Sequence, residues 1–258
     1  WKGEQPVMKL VGIELYKLRR KHLFSMVMIF LLVEISWAFV VTARSVSGNS
    51  VYAGWEALIA MLSSMNGLFF PVLTAVCVSR ICDMEHKGNT RKLLLAMSVK
   101  QNRLYAAKYA SAAIVMFTAA VLQALAAAAF GITSAFERSV PLFLLFRFLT
   151  ATIITNMIVA ALQQWISMAV KNQAFALTFG MIGGFIGVVA DLLPHNVRKV
   201  FIWSYYTGLS PVTQFYTGNH VIFSIRDTGS MVPVMTVLII AGIVIYFAGS
   251  FHVSRQEL

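Results

Sequence analysis

The stretch from Asp83 to Lys108 holds the densest group of cations in the chain and lies between two long apolar runs. Counted from just before its start, its cations are Arg80, Lys87, Arg91, Lys92, Lys100, Arg103 and Lys108, and an apolar strip lies among them: Leu93, Leu94, Leu95, Met97 and Val99. This composition suits a short helix at the cytoplasmic face of a membrane, with its charges toward phosphates, water or a soluble partner. A connecting loop that obeys the positive-inside rule explains the charge equally well.

No motif for catalysis or metal binding accompanies these cations. The sequence has no GxxxxGK[ST], HExxH or GxSxG pattern, so we expect no catalytic residues and no bound cofactor. Cys77 and Cys82 are the only two cysteines. Their five-residue spacing without clustered histidines predicts a reduced, structural role and no metal site. The chain is therefore not predicted to be an enzyme.

One acid, Glu34, interrupts the apolar run from Leu23 to Thr42. It lies close to the middle of that run, at a depth where an ionisable residue is costly and suggests a function. Two roles are open. Glu34 could form a structural bridge with Arg147, which is predicted to lie at a similar depth, or it could face a pathway and attract a cationic substrate.

Amide side chains occur in the other apolar runs: Asn66, Gln123, Asn156, Gln163 and Gln164. Such groups most simply form hydrogen bonds between helices in a membrane. If the substrate is a peptide, some of them could line its route, and Phe69, Phe70 and Trp165 could supply apolar contact. The sequence does not separate these roles.

The composition requires a membrane around these residues. The 258-residue chain is 59% hydrophobic and only 12% charged, which is too apolar for a soluble globular domain. Its net charge of +11 does not indicate a nucleic-acid partner, because the cations lie at the ends of apolar runs and not on a basic face with interleaved aromatics. Lipids are the expected solvent of the chain.

We predict an all-α integral membrane protein that forms one permease domain over residues 1–258. An amphipathic interfacial helix occupies residues 8–21, and residues 1–7 are candidates for a non-native extension. Six spans follow, at about Leu23–Thr42, Ala53–Val78, Ala106–Phe130, Pro141–Val170, Ala174–Leu193 and Val232–Phe247. Residues 83–100 form a cytoplasmic segment, and residues 191–231 form an extracellular segment with one or two short helices between spans five and six.

This topology places both termini inside the cell. It puts fifteen of the twenty-one Lys and Arg residues on the cytoplasmic side, as the positive-inside rule requires. The fifth span contains GMIGGFIG. Gly180 with Gly184, and Gly183 with Gly187, have the small-xxx-small spacing of close helix contacts, although the glycines could also permit a bend.

The run EHKGNTRKLLLAMSVKQNRLYAAKY, together with six spans and the amphipathic helix IELYKLRRKH, resembles the permease subunits of type-2 ABC exporters. The positions that match the family pattern are Glu85, Lys87, Gly88, Thr90, Leu93, Leu94, Leu95 and Lys108. Ser98 and Val99 stand where the family usually has a proline. The size and the absence of a large outer domain are most similar to the lantibiotic and bacteriocin-immunity permeases.

The resemblance implies that residues 83–100 form a coupling helix that docks into a groove of a separate ATPase. The residues expected to contact the ATPase or to shape this interface are Glu85, Lys87, Gly88, Thr90, Lys92, Leu93, Leu94 and Leu95, with Lys171 as a lesser contact. Two copies of a cytoplasmic ABC ATPase would bind the ATP and Mg²⁺. A second permease, identical or a sister subunit, would complete the transporter in the bacterial cytoplasmic membrane.

The predicted function is therefore ATP-driven export of an amphipathic substrate, such as a lantibiotic-type antimicrobial peptide, which would give self-protection or resistance. Export of a lipid, a polymer or a small drug is the alternative within the same class. A non-transporting membrane sensor or scaffold is the alternative from another class. A channel is not favoured, because the sequence has no repeated polar ring or filter-like stretch.

Overall fold

The computed structural model of the chain describes residues 7–48, 54–86, 100–134, 136, 139–170, 172–217 and 220–255. The elements in chain order are α1 (Val7–Arg20), α2 (Leu23–Gly48), α3 (Trp55–His86), α4 (Gln101–Thr133), α5 (Leu142–Ala169), α6 (Gln173–Val189), α7 (His195–Arg198), α8 (Tyr205–Gly208), β1 (Val212–Thr217), β2 (His220–Ile225) and α9 (Thr228–Arg255). The 3-10 turns Ala190–Leu192 and Ile202–Ser204 lie between α6 and α8.

In the described part of the chain, five helices are long and apolar enough to cross a membrane: α2, α3, α4, α5 and α9. This confirms the prediction of a largely helical, multi-pass membrane protein. The predicted fifth span is the shorter helix α6, whose 17 residues extend about 26 Å, at the lower limit for a span. Six complete crossings therefore stay a prediction.

The long helices extend beyond the apolar runs that identified them. Helix α2 continues to Gly48, past the predicted end at Thr42, and α3 continues to His86, past Val78. Hydropathy marks the part of a helix that lies in lipid, whereas the backbone hydrogen bonds can continue into the interface and the water.

Helix α3 is the most buried of the five long helices and α9 is the least buried. The helices meet in two main clusters. One lies where α3 ends and α4 begins, around Leu18, Leu23, Ile81 and Tyr105, and we call this side the loop end. The other lies around Trp55, Leu58, Leu144 and Val212, and we call it the hairpin end.

The hairpin corrects the all-α prediction for residues 191–231. Strands β1 and β2 pair antiparallel, with Val212 opposite Ile225 and Thr217 opposite His220. The sequence predicts one or two short helices in this segment, and the structure has two, α7 and α8. The last long helix begins at Thr228, four residues before the predicted start at Val232.

The segment that contains α8 lies deep among the long helices. The rings of Tyr206 and Phe70 have centroids 6.0 Å apart, and Tyr206 is buried. Phe70 is fifteen residues from the start of α3 at Trp55, which corresponds to about 22 Å along the helix axis. The segment after α6 therefore turns back into the bundle before the chain reaches the hairpin.

Candidate functional site

The predicted coupling segment begins inside α3. Asp83 and Glu85 belong to the last turns of this helix, which ends at His86. The side chain of Glu85 and the residues Lys87, Gly88, Thr90, Lys92, Leu93, Leu94 and Leu95 lie outside the part of the chain that the structure describes. Lys171 also lies outside it, between α5 and α6. The structure does show how α3 and α4, the helices on either side of residues 87–99, are joined.

A buried lysine joins the helices on both sides of this segment. Lys108 of α4 is 1% exposed, and its Nζ donates to the carbonyl oxygen of Ile81 of α3 at 2.8 Å. The same Nζ lies 3.5 Å from Oε2 of Glu14 of α1. Glu14 also accepts from Lys17 at 2.7 Å. Three helices thus meet at one buried ion pair.

Glu14 is a site residue that the sequence reasoning missed. Leu10, Glu14 and Leu18 follow one another at four-residue spacing, which places the acid within the apolar stripe of α1. All three side chains are buried. An acid inside a buried stripe requires a partner, so this spacing was the available signal.

A second cluster of polar side chains, which we call the polar layer, crosses the middle of the bundle. It contains Glu34 of α2, Asn66 of α3, Gln123 of α4 and Thr152 of α5, all of them buried. Nε2 of Gln123 donates to Oε1 of Glu34 at 2.9 Å and to Oδ1 of Asn66 at 2.7 Å. Nδ2 of Asn66 donates to Oγ1 of Thr152 at 3.2 Å.

The amide of Asn66 fits better when it is rotated by half a turn, because its nitrogen then donates to Oε1 of Glu34 at 2.6 Å. In either orientation Glu34 is held by amide groups. Within the described residues it has no cation as a partner. The layer therefore connects α2, α3, α4 and α5 at the depth where lipid offers no hydrogen bonds.

Arg147 does not pair with Glu34, so the predicted structural bridge is wrong. Nη2 of Arg147 donates to the carbonyl oxygen of Arg226 and lies 2.8 Å from Sδ of Met231. These partners belong to the hairpin end, because Arg226 follows β2 and Met231 lies in the first turn of α9. The arginine helps to hold the hairpin and α9 against α5.

Asn156 extends the polar contacts toward the loop end. Its Oδ1 accepts from Oγ1 of Thr74 at 2.7 Å and from the hydroxyl of Tyr206 at 2.8 Å. Asn156 thereby joins α5 to α3 and to the inserted helix α8. Thr74 and Tyr206 are further buried polar residues that the sequence did not identify. Tyr206 carried no sequence signal of its depth, because its position depends on how the segment after α6 folds back.

The other predicted pathway residues contact neighbouring elements. Nε2 of Gln163 donates to the carbonyl oxygen of Ala176, and Nε2 of Gln164 donates to that of Tyr105. Phe69 packs edge to face with Phe30, and Phe70 packs against Tyr206. Nε1 of Trp165 donates to Nδ1 of His252 at 2.9 Å. Each of these side chains has a partner inside the single chain.

The comparison with protein families adds the class of this helical bundle. Residues 10–187 match the model of the ABC-2 family transporter proteins, which is more than half of the chain. The chain belongs to the ABC-2 transporter family. A comparison with curated proteins finds no match. Membership confirms the predicted type-2 ABC permease and a multi-pass location in the bacterial membrane, and it implies an ABC ATPase subunit as a partner.

The ABC-2 permease packs α6 closely against α3 through the predicted glycines. A Cβ on Gly187 would collide with the carbonyl oxygen of Gly67, and a Cβ on Gly184 would lie 2.9 Å from the carbonyl oxygen of Leu68. A Cβ on Gly180 would collide with the Cβ of Ala75. Gly183 instead faces the indole ring of Trp203. This glycine therefore lets the segment after α6, and not α3, pack closely against α6.

Within the described residues of the permease, no group of three or more His, Cys, Asp or Glu side chains could hold a metal ion. Cys77 and Cys82 are both buried, and neither forms a disulfide within the described residues. Among the described residues, the site consists of buried hydrogen bonds and the Glu14–Lys108 ion pair, which position helices.

Proposed function

We propose that this ABC-2 permease is the transmembrane subunit of an ATP-driven exporter that moves an amphipathic substrate outward across the cytoplasmic membrane. The observation that carries the proposal is the family match over residues 10–187, which covers α2 to α5, segment 87–99 and nearly all of α6. In the proposed complex, two copies of a soluble ATPase supply the energy, because no phosphate-binding loop occurs in the sequence.

The ATPase would bind at the loop end. Helix α3 continues about eight residues past its apolar run to His86, so segment 87–99 begins beyond the predicted edge of the bilayer. The segment carries Lys87, Arg91 and Lys92. Its cations can meet acidic groups of a soluble partner, and Lys171 would approach the same partner from the α5–α6 connection.

The substrate route would run between this bundle and that of a second permease. Glu34 and the amides of the polar layer are already bonded to one another inside the chain, so they leave no open polar channel through the described helices. Exposed apolar side chains instead lie on the outward face of α6, including Ile182, Phe185 and Val188. Such a face suits lipid, a second permease or the apolar side of an amphipathic peptide.

A peptide substrate of the lantibiotic type is the finer part of the proposal. It rests on the resemblance to immunity permeases. The test is a reconstitution of the permease with the ATPase encoded beside it, in vesicles whose ATPase sites face outward. ATP should then drive accumulation of a fluorescent cationic amphipathic peptide, and an ATPase with its phosphate-loop lysine replaced should abolish it.

The docking surface is tested in the same system. The double variant K87E/K92E should lower the amount of ATPase that co-purifies by about tenfold, because two attractive contacts become repulsive. Lys199, which is exposed near the hairpin end, offers the matched control, and K199E should leave co-purification unchanged. Equal losses in both variants would reject the loop end as the docking surface.

The transport measurement also separates the alternatives. If ATP drives movement of a labelled phospholipid or of a small drug but not of the peptide, the substrate is a lipid or a drug and not a peptide. ATPase binding without movement of any of these would favour a sensor or scaffold.

A further inference from the structure

The pair Glu14–Lys108 lies where it can transmit motion. Lys108 is seven residues after the start of α4 at Gln101, and Ile81 is five residues before the end of α3 at His86. Along the two helices these distances are about 10 and 8 Å. The lysine therefore connects α3 and α4 close to the points where segment 87–99 begins and ends, and Glu14 adds α1 to the same contact.

Helix α1 depends on contacts with the bundle for its position. A 14-residue helix is marginal in water by itself, so packing must stabilise it. Leu10 and Val11 pack against Leu104 and Ala107 of α4, while Met8 and Tyr16 stay exposed on other sides of α1. The apolar contact holds α1 against α4. Leu18 shares the cluster at the loop end with Ile81 of α3. The ion pair adds a polar link from α1, through Lys108, to the carbonyl oxygen of Ile81.

The connection between α1 and α2 is short. Only Lys21 and His22 separate the two helices, and His22 has the left-handed φ of 55°. The amide nitrogens of these residues donate to the carbonyl oxygens of Leu18 and Arg19. A connection of two hydrogen-bonded residues is too short to absorb a displacement of α1, so that displacement must move the start of α2. Glu34 lies further along the same helix.

We propose that Glu14 and Lys108 are positioning residues that tie α1 to α3 and α4, the helices on either side of segment 87–99. When the ATPase moves that segment, the pair moves α1 and, through the Lys21–His22 turn, α2. This inference rests on the proposed function, because it assumes that an ATPase acts on segment 87–99. It assigns α1 a role in coupling, although α1 contains none of the residues that are predicted to contact the ATPase.

The competing explanation is that the pair only stabilises the fold. A lysine is almost never fully buried unless it is paired, so stability alone could account for the contact. The two explanations differ in one respect. A purely structural pair affects the amount and the thermal stability of the protein, whereas a transmitting pair also affects how strongly the permease stimulates an ATPase that is already bound.

The test uses the permease with its ATPase in lipid nanodiscs and two single variants, E14Q and K108M. E14Q is isosteric, so it removes the charge of the pair with little change in volume. In K108M, Glu14 keeps Lys17 as its partner. The matched control is K17M, because Lys17 contacts the same carboxylate, is 35% exposed and does not connect two helices.

Two measurements are made on each variant. Hydrogen exchange of the amides from Val7 to Arg20, which needs no ATPase, reports the docking of α1. Stimulation of the bound ATPase reports coupling. In E14Q and K108M we expect faster exchange in α1 and at least about threefold lower stimulation, with unchanged co-purification of the ATPase, whereas K17M should resemble the natural sequence in both measurements.

Each other outcome overturns the proposal in a recognisable way. Unchanged exchange in both variants would show that the pair does not hold α1. Faster exchange with normal stimulation would leave the pair a purely structural role. If the natural sequence itself neither binds nor stimulates the ATPase, the proposed function fails, and the exchange data then show separately whether the pair holds α1 in place.

Discussion

Glu34 carries the highest cost of any side chain in the polar layer. It is eleven residues past the start of α2, about 16 Å along the helix, and therefore close to the middle of a bilayer core of about 30 Å. An ionisable group at that depth is costly unless it is paired or bonded. The amide of Gln123 at 2.9 Å supplies such a bond, so the acid contributes to the contact between α2 and α4.

This environment predicts different results for three substitutions of Glu34. E34Q should leave the thermal unfolding temperature in detergent almost unchanged, because glutamine has the same shape and can both donate to and accept from the amides. E34A should destabilise the protein by about 1–2 kcal/mol, because it removes the hydrogen bond and leaves a cavity. E34K should prevent folding, because it directs a cation at amide donors in an apolar interior.

The same variants distinguish the two roles that the sequence leaves open for Glu34. If E34Q unfolds normally and exports a cationic peptide as well as the natural sequence does, the side chain positions helices. If E34Q is stable but export of a cationic substrate falls while export of a neutral one does not, Glu34 attracts the substrate. A large loss of stability in E34Q would contradict the amide-bonded geometry.

At the scale of residues, the sequence identified most members of the polar layer but not their partners. Glu34, Asn66 and Gln123 of the layer, and Asn156 beside it, stand out because each is polar within an apolar run. Depth alone suggested Arg147 as the partner of Glu34. In the structure, Arg147 instead contacts the hairpin end. The sequence could not predict this, because the direction in which a side chain points depends on the rotation of its helix, which hydropathy does not determine.

At the scale of elements, the contact between α3 and α6 follows from three residues. Pro71 lies inside α3 and has no N–H, so the carbonyl oxygen of Gly67 lacks its usual helical donor. Gly187 of α6 approaches that oxygen, and a Cβ on Gly67 would lie 2.9 Å from the carbonyl oxygen of Gly187. Two glycines thus let the backbones meet at the point where proline frees a carbonyl group, and a Cα–H can approach it.

This contact predicts that G187A destabilises the permease by about 1–3 kcal/mol, because the new methyl group would collide with backbone and not with a flexible side chain. Thermal unfolding of the purified protein measures the effect. G12A is the matched control, since a Cβ on Gly12 meets nothing within 4 Å. The same substitution in α1 should be neutral or stabilise by up to about 1 kcal/mol. A neutral G187A would contradict the close α3–α6 contact.

The β-hairpin was the element that sequence reasoning missed, although a signal was present. Val212–Thr217 and His220–Ile225 are two runs of equal length, and Gly218–Asn219 between them is a dipeptide typical of two-residue hairpin turns. The surrounding aromatics and prolines suggested interfacial helices instead. The depth of α8 could not be predicted in the same way, because it depends on contacts with Phe70 and Asn156, which are far away in the sequence.

At the scale of the whole molecule, the charge distribution indicates which of the two ends faces the cytoplasm. Cations before α2 and around segment 87–99 belong to the loop end, and few lie at the hairpin end. Because cationic loops stay on the cytoplasmic side during insertion, the loop end should face the ATPase and the hairpin should face outward.

Cysteine labelling tests this orientation. Cys77 and Cys82 are first replaced by alanine, and single cysteines are then introduced at Lys9, Lys100 and Ser230, all of which are exposed. In intact cells a membrane-impermeant maleimide should label S230C, which lies near the hairpin, and should label K9C and K100C only after the membrane is opened. Labelling of K100C from outside would reverse the orientation. It would also remove segment 87–99 from any cytoplasmic ATPase, and because docking, coupling through α1 and outward transport all require that contact, none of the three could then operate.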